Sequence, residues 1–196
     1  MNKLFGFYEL KSMNIPSVPW EEYTGEQLLD KELLWTVRSA VYRGNDLNLP
    51  RSVGVDYEKA TDFASKLLKN LNNKGIVVFY PYFIAEKSGT LNVYLDRIII
   101  EAVKDDLWNL VTFSDREVTI IVTENETQYN GNESFISENE QQQILKYIPE
   151  IKKTFRDELY SGKSVMLEWS YAYNCDINKQ KKGDKYLIFY EARTVF

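Results

Sequence analysis

Residues 165–174, VMLEWSYAYN, and residues 186–195, YLIFYEARTV, carry the strongest fold signal in the sequence. Both stretches are rich in β-branched and aromatic residues, which is typical of strands. A polar, lysine-rich segment joins them, so the pattern predicts a β-hairpin that closes the chain. Each stretch also contains one glutamate among its apolar residues, Glu168 in the first and Glu191 in the second.

These two glutamates are the first candidate site. Burying a carboxylate is costly unless a cation or hydrogen-bond donors compensate. Two carboxylates on neighbouring strands that face one point would form a hard-oxygen site suited to Mg²⁺. The alternative is that Glu168 and Glu191 each pair with a nearby lysine or arginine, or face solvent.

The composition excludes several classes of chemistry. The chain contains no histidine, which rules out His-based zinc sites, Ser-His-Asp and Cys-His catalysis, and an internal phosphohistidine. The single cysteine, Cys175, permits no internal disulfide and indicates a reduced, cytoplasmic thiol. A formal net charge of −5 argues against a broad grip on nucleic-acid phosphates. No apolar stretch approaches the roughly 20 residues of a membrane span, so a soluble protein is expected.

Periodicity and turn residues predict the remaining elements. Helices are expected near residues 1–12, after the N-cap residue Asp56, and after the capping box Ser137–Glu140, where Pro149 should kink or split the helix. A turn is expected at residues 87–89 and a polar loop over residues 123–135. Strands are expected at residues 33–42, 76–85, 91–95, 97–103, 117–122, 165–172 and 186–195.

This pattern predicts an α+β fold in one domain, residues 1–196. We expect two lobes, residues 1–75 and 76–196, each of mixed and mostly antiparallel sheet with helices on one face. The helix after Ser137 should pack on the C-terminal sheet through its stripe of isoleucine and phenylalanine side chains.

The closing hairpin also resembles the end of a known domain. Residues 167–170 (LEWS) and 187–194 (LIFYEART) are similar to the (D/I)-E-W-A and L-x-x-L-Q-A-R-P strands of the phosphoenolpyruvate synthase and pyruvate phosphate dikinase family. In that family the strands close the ATP-binding domain, which is of the ATP-grasp type. The resemblance implies an ATP-grasp-like fold in which Glu168 and Glu191 hold Mg²⁺ and Arg193 approaches the phosphates of ATP.

Other pieces follow in the family's order. Residues 2–3 and 15–19 (IPSVP) resemble the opening of the domain, which implies that Lys3 contacts phosphate. Residues 36–40 (TVRSA) resemble V-R-S-S, whose arginine, here Arg38, touches the nucleotide phosphates. Residues 77–89 resemble the strand that ends in S-G. The next strand of the family reads I-E-A, which adds Glu101 to the implied cofactor-binding residues.

The sequence departs from the family where activity is concerned. Glu191 stands where the family has glutamine, Ser170 where it has alanine, and Thr194 where it has proline. Residues 104–108 (KDDLW) replace G-L-G-E, so a catalytic carboxylate is Asp105 or Asp106, or is absent. The first lobe is short, and the family's phosphohistidine and substrate-binding domains are missing.

Two functions from different classes are therefore open. The first is an ATP–Mg²⁺-binding domain and, if active, a dikinase-like phosphotransferase in which Arg38 and Arg193 are catalytic. It would act on a separate acceptor, including a partner chain that carries a phosphohistidine or substrate domain. The alternative is a catalytically inactive ATP-grasp-like module for protein interaction or inhibition. The first function requires Lys3, Arg38, Arg193 and both glutamates to converge on one cleft. It also predicts that replacing both glutamates abolishes Mg²⁺-dependent nucleotide binding and barely lowers stability.

Overall fold

The computed structural model describes residues 3–43, 49–108, 110 and 115–195, with only the backbone of Lys3. The helices are α1 (Lys3–Ser12), α2 (Tyr57–Leu71), α3 (Glu138–Leu145), α4 (Ile148–Thr154) and α5 (Arg156–Tyr160). The strands are β1 (Glu21–Glu22), β2 (Trp35–Val41), β3 (Arg51–Val55), β4 (Gly75–Pro81), β5 (Phe83–Val93), β6 (Ile98–Lys104), β7 (Val118–Val122), β8 (Thr127–Gly131), β9 (Ser164–Cys175) and β10 (Lys181–Val195).

The strands form two antiparallel sheets. One has four strands in the order β1-β4-β2-β3, and the other has six in the order β10-β9-β5-β6-β7-β8. The α+β class, the antiparallel pairing and the closing hairpin β9-β10 are confirmed. None of the helices in the described residues is long and apolar enough to cross a bilayer.

The chain passes from the first sheet to the second at Tyr82. The prediction of one strand over residues 76–85 was wrong, because β4 ends at Pro81 and β5 begins at Phe83 in the other sheet. Proline lacks the N–H that a central strand needs, which suits the end of β4. The change of sheet therefore falls after the expected lobe boundary at residue 75, since β4 pairs with β2 in the first sheet. That the sheets act as separate lobes stays a prediction.

The turn predicted at residues 87–89 was also wrong. These residues lie inside β5, and Gly89 is paired with Ala102 on one side and Trp169 on the other. A Cβ atom on Gly89 would lie 1.9 Å from the carbonyl oxygen of Glu101 and 2.6 Å from the Trp169 ring. Glycine is needed here for a close approach within the sheet and not for a turn.

The helices after residue 137 cover one face of the six-stranded sheet. The capping box of Ser137 and Glu140 opens α3, and Pro149 lies in the first turn of α4, so the helix is split as predicted. The predicted apolar stripe packs against the sheet in one hydrophobic core, which also contains Trp169 and Phe189. The stripe consists of Ile144, Ile148, Ile151, Phe155 and Leu159.

Residues 123–135 are not entirely loop. Within them Thr127–Gly131 forms β8, an edge strand whose five residues are all exposed and which pairs with β7. The stretch TQYNG lacks an alternating apolar face, because no part of the core lies against it. A polar edge strand therefore resembles a loop in its composition.

Helix α2 covers one face of the four-stranded sheet. Asp56 caps it by accepting a hydrogen bond from the backbone N–H of Lys59, as predicted, and Asn72 ends it in the left-handed conformation. Alternate residues of β2 then face opposite sides of this sheet. Val37 packs in the core under α2, while Ala40, an odd number of residues along the strand, packs in a second core between the two sheets.

Helix α1 closes the second core by packing on β10. Leu4 and Phe7 are buried there, whereas Tyr8 is 47% exposed. Gly6 lies directly on β10, where a Cβ atom would come within 1.9 Å of the Ala192 carbonyl oxygen. The segment after α1 then pairs with the outer edge of β10, since the Val18 N–H donates to the carbonyl of Phe189.

Candidate functional site

A row of polar side chains crosses the six-stranded sheet on the face that α3, α4 and α5 do not cover. Glu101 pairs in register with Thr90, Thr90 with Glu168, and Glu168 with Glu191. Cross-strand partners lie on the same face of a sheet, so these four side chains share one face across four strands. Glu101 at one end of the row is partly buried, whereas Thr90, Glu168 and Glu191 are only 7%, 9% and 2% exposed.

A bulge in β10 directs two consecutive side chains to this face. The register of β10 on β9 shifts between Phe189 and Glu191. Phe189 packs in the core under the helices, whereas Tyr190 and Glu191 both line the cavity on the opposite face. Without the bulge, the period of two would have separated these neighbours.

Two arginines meet the two glutamates at the end of the row. Arg38 Nη2 lies 2.5 Å from Glu191 Oε2, and this pair joins the two sheets because Arg38 belongs to β2. Arg193 Nη2 lies 2.9 Å from Glu191 Oε1 and 3.2 Å from Glu168 Oε1. The pairing of glutamate with arginine that the sequence left open is therefore present in the structure.

Burial and charge together set the protonation of the groups around this cluster. Burial lowers the pKa of the Arg38 guanidinium, but Tyr80 and Glu191 raise it, and the net shift is upward. Burial raises the pKa of Tyr190 far above its usual range, and Glu168 adds to this shift. At neutral pH the cavity is therefore lined by a charged Arg38 and by a neutral Tyr190 phenol that can donate a hydrogen bond.

The cluster forms the floor of a cavity of about 300 Å³ between the two sheets. This volume is at the lower end of the range for small-molecule sites. The hydroxyl groups of Ser88 and Ser170 line one side of the cavity. They form a hydrogen bond with each other at 2.8 Å, and the Ser88 hydroxyl donates to the Asp105 carbonyl oxygen at 2.6 Å. The opening is lined by larger side chains, among them Arg51, Tyr82, Phe83 and Trp108.

The structure brings together four of the six residues that the sequence singled out. Arg38, Arg193, Glu168 and Glu191 all line the cavity. Glu101 is two strands from Glu168, where its carboxylate accepts a hydrogen bond from Thr90 and pairs with Arg116 at 2.7 Å. The side chain of Lys3 lies outside the described residues.

The two candidate catalytic carboxylates are placed differently. Asp106 lines the cavity and accepts a hydrogen bond from the backbone N–H of Trp108 at 2.8 Å. Asp105 has a left-handed backbone, with φ of 59°, and contributes its carbonyl to Ser88. Of the two, Asp106 is the one in contact with the cavity.

The cluster offers two adjacent carboxylates, which are ligands suited to Mg²⁺. Glu168 and Glu191 offer hard carboxylate oxygens side by side, and Mg²⁺ is commonly held by one or two carboxylates together with substrate phosphates. Among the described residues, no group of three or more Asp, Glu or Cys side chains is arranged to hold a metal ion. A site that relies on three carboxylates is therefore not present in that part of the chain, whereas a site shared with a phosphate needs only the two.

Sequence reasoning missed several residues of the cavity. Tyr190 is brought in by the bulge, for which the sequence has no local signal, and Tyr80 lies opposite on β4. Core packing is the default expectation for a tryptophan, with base stacking as the alternative, yet Trp108 is 49% exposed at the cavity opening. Its position two residues after the acidic pair Asp105–Asp106, rather than within a long apolar run, is the available signal.

Comparison with known proteins leaves the chain without an assigned family. No protein-family model and no curated protein matches the sequence. Among solved structures, the macrocyclase MdnC bound with precursor peptide MdnA from Microcystis aeruginosa MRC is similar at a TM-score of 0.45 and 8% sequence identity. The similarity covers 97% of this chain and 51% of that chain, so this chain spans about half the length of the macrocyclase.

Proposed function

We propose that the chain binds ATP together with Mg²⁺ in the cavity between the two sheets, as an ATP-grasp-like domain. The observation that supports this most is the convergence of Arg38, Arg193, Glu168 and Glu191 on one cavity floor. These residues come from separate parts of the sequence. The resemblance to the ATP-binding domain of the phosphoenolpyruvate synthase and pyruvate phosphate dikinase family implies the same four residues as ligands of the metal and the phosphates.

The residues of the floor have complementary roles in this proposal. Glu168 and Glu191 would hold Mg²⁺, which supplies positive charge next to the phosphates when it is bound. Arg38 and Arg193 would neutralise phosphate oxygens, with planar guanidinium groups suited to two hydrogen bonds each. In the structure the same arginines neutralise the two glutamates. Nucleotide binding would therefore exchange carboxylate for phosphate at each guanidinium and should depend strongly on Mg²⁺.

Phosphoryl transfer is the finer part of the proposal. Protein groups contribute to this chemistry mainly by positioning and by neutralising charge, which Arg38 and Arg193 are placed to do. The acceptor would be a separate molecule or another chain, because this chain contains no histidine to carry a phosphoryl group. The purified chain is then expected to bind ATP without rapid turnover.

The direct test is isothermal titration calorimetry with ATP, in the presence of Mg²⁺ and in the presence of EDTA. The wild-type chain should bind ATP much more tightly with Mg²⁺. Glu168→Gln and Arg193→Gln should weaken the binding of Mg–ATP, each by about 1.5–3 kcal/mol if a charged hydrogen bond is lost. A wild-type chain that binds no nucleotide under either condition would overturn the proposal.

Two further variants locate the site. Glu86→Gln removes a carboxylate on the same sheet that pairs with Lys185 outside the cavity, and it should bind Mg–ATP like the wild type. Glu101→Gln tests whether this residue contributes to binding, as the family resemblance implies. If it does, the variant should bind Mg–ATP more weakly. If the cavity alone forms the site, the variant should keep wild-type affinity, because Glu101 lies two strands from Glu168.

The alternative function has an observation in its favour. The two arginines and two glutamates pair with one another, and such a cluster can join two sheets without any ligand. A catalytically inactive protein-interaction or inhibitor module would keep this arrangement. In that case a thermal shift assay should show no stabilisation by ATP, ADP or GTP with Mg²⁺, and the search should turn to protein partners.

A further inference from the structure

The opening of the cavity combines an exposed tryptophan with an arginine from the opposite sheet. The Arg51 guanidinium carbon lies 5.1 Å from the centroid of the Trp108 ring, and both side chains line the cavity. Arg51 begins β3 in the four-stranded sheet, whereas Trp108 follows β6 in the six-stranded sheet. The pair therefore spans the cleft at the point where a ligand would enter.

Trp108 is held in place by its neighbours and not by burial of its own ring. Leu107 and Leu110 on either side of it are buried in the core between the sheets. Its backbone N–H donates to Asp106 Oδ1 at 2.8 Å. Half of the Trp108 side chain nevertheless remains exposed. A large aromatic ring that is fixed by its backbone and left accessible at a cavity opening is suited to stacking on a ligand.

The chemistry of the cavity changes from its floor to its opening. The floor carries the charged cluster of Arg38, Arg193, Glu168 and Glu191, which suits phosphate and Mg²⁺. The opening carries Arg51 and aromatic rings, including the parallel rings of Tyr82 and Phe83, whose centroids are 6.5 Å apart. A ligand that matches both ends has an anionic group joined to a flat ring system.

We propose that Trp108 forms a base-stacking subsite, in which a nucleobase stacks on the indole ring and the Arg51 guanidinium, now 5.1 Å from the ring centroid, moves outward to admit the base. This inference rests on the proposed nucleotide site and specifies how the base is recognised. Stacking uses the face of the base and does not read its edges, so the subsite favours large bases over small ones. Adenine and guanine nucleotides should then bind with similar affinity, and a cytosine nucleotide more weakly.

The test separates the base from the phosphates. Calorimetry in excess Mg²⁺ would compare ATP, GTP, CTP and inorganic tripolyphosphate on the wild-type chain and on Trp108→Ala and Trp108→Phe. Loss of stacking on one aromatic residue should weaken ATP and GTP by about 5- to 150-fold in Trp108→Ala. Trp108→Phe should recover most of that loss, and tripolyphosphate should bind all three proteins equally.

A matched control exists elsewhere on the surface. Arg156 lies 5.6 Å from the centroid of the Tyr160 ring, and Tyr160 is 68% exposed away from the cavity. Tyr160→Ala therefore removes a similar arginine–aromatic pair and should leave the affinity for ATP unchanged.

The outcomes distinguish the base-stacking subsite from the proposed nucleotide site on which it rests. Wild-type ATP affinity in Trp108→Ala would overturn the base subsite and leave the nucleotide site standing. An equal loss of ATP and tripolyphosphate binding would also overturn it, because Trp108 would then act on the floor of the cavity and not on the base. A wild-type chain that binds neither ATP nor tripolyphosphate would overturn the nucleotide site and the subsite together.

Discussion

At the level of single residues, Gly89 shows how a strand interior can depend on the absence of a side chain. Its Cα lies against the carbonyl of Glu101 and the ring of Trp169, a side chain that is fully buried. The dipeptide Ser88–Gly89 resembles a turn in sequence. The need for glycine at position 89 depends on the strands that pair with β5 on both sides, because it is their atoms that approach Gly89 closely.

This packing leads to a stability prediction. Gly89→Ala should lower the free energy of unfolding by about 1–3 kcal/mol, because the new methyl group forces β5 away from β6 or displaces Trp169. Urea denaturation monitored by tryptophan fluorescence would measure the change. As a control, Gly183→Asn places a residue that tolerates left-handed backbone at φ of 69°, where no atom lies within 4 Å of the added Cβ. A loss for Gly89→Ala no larger than that of the control would contradict the packing argument.

At the level of elements, Glu140 ties α3 to two strands. Its carboxylate pairs with Lys87 of β5 at 2.7 Å and with Lys185 of β10 at 2.9 Å, and it accepts the capping hydrogen bond from the Ser137 N–H. Burial raises the pKa of Glu140, but these hydrogen bonds outweigh burial and lower the pKa to about 2. The first helix of the group is therefore held by a carboxylate that must be ionised.

The direction of the shift determines the pH dependence. Because the pKa of Glu140 is lower in the folded chain than in the unfolded one, its contribution to stability is complete above about pH 4.5. It is then lost as the pH falls towards about 2. Glu140→Gln should be less stable than the wild type at pH 7, and the difference should shrink as the pH falls through this window. Urea unfolding at a series of pH values would show this. The exposed Glu138→Gln on the same helix should show a small difference, and a gap for Glu140→Gln that stays constant with pH would contradict the assignment.

The elements also show how far the sequence could predict this fold. The capping box, the split at Pro149, the helix after Asp56 and the closing hairpin follow from local rules, and all are confirmed. Strand β8 escaped prediction because it is a polar edge with no core against it. The division of residues 76–85 between two sheets escaped it because both halves are apolar, and the choice of partner strand is not a local property.

At the level of the whole molecule, the ion pair between Arg38 and Glu191 joins the two sheets. Both side chains are almost fully buried, at 9% and 1% exposed. Removing one partner of a buried pair leaves an uncompensated charge. From this pairing we expect replacement of both glutamates to lower stability, whereas the expectation from the sequence was a small effect. The apolar pattern of the hairpin singled out the two glutamates and the family resemblance implied the two arginines, but their mutual pairing depends on how the sheets face each other.

A double-mutant cycle measures this link. Arg38→Met and Glu191→Leu should each lower the free energy of unfolding by about 3–5 kcal/mol. The double variant should be considerably more stable than the sum of the two losses predicts, because no charge is then left buried alone. Chemical denaturation of the four proteins gives the coupling free energy. Additive losses would show that the pair contributes no energetic link between the sheets.

The docking of α1 on β10 has a consequence for the order in which the molecule can assemble. Arg38 and Glu191 are 153 positions apart, and the apolar face of α1 rests on a strand from that same late part of the sequence. During synthesis α1 leaves the ribosome before β10, the strand on which it packs, has been made. Leu4 and Phe7 are therefore exposed to water, or bound by a chaperone, until β10 is available. Contacts between such distant positions slow folding, so we expect α1 to dock on β10 late in folding.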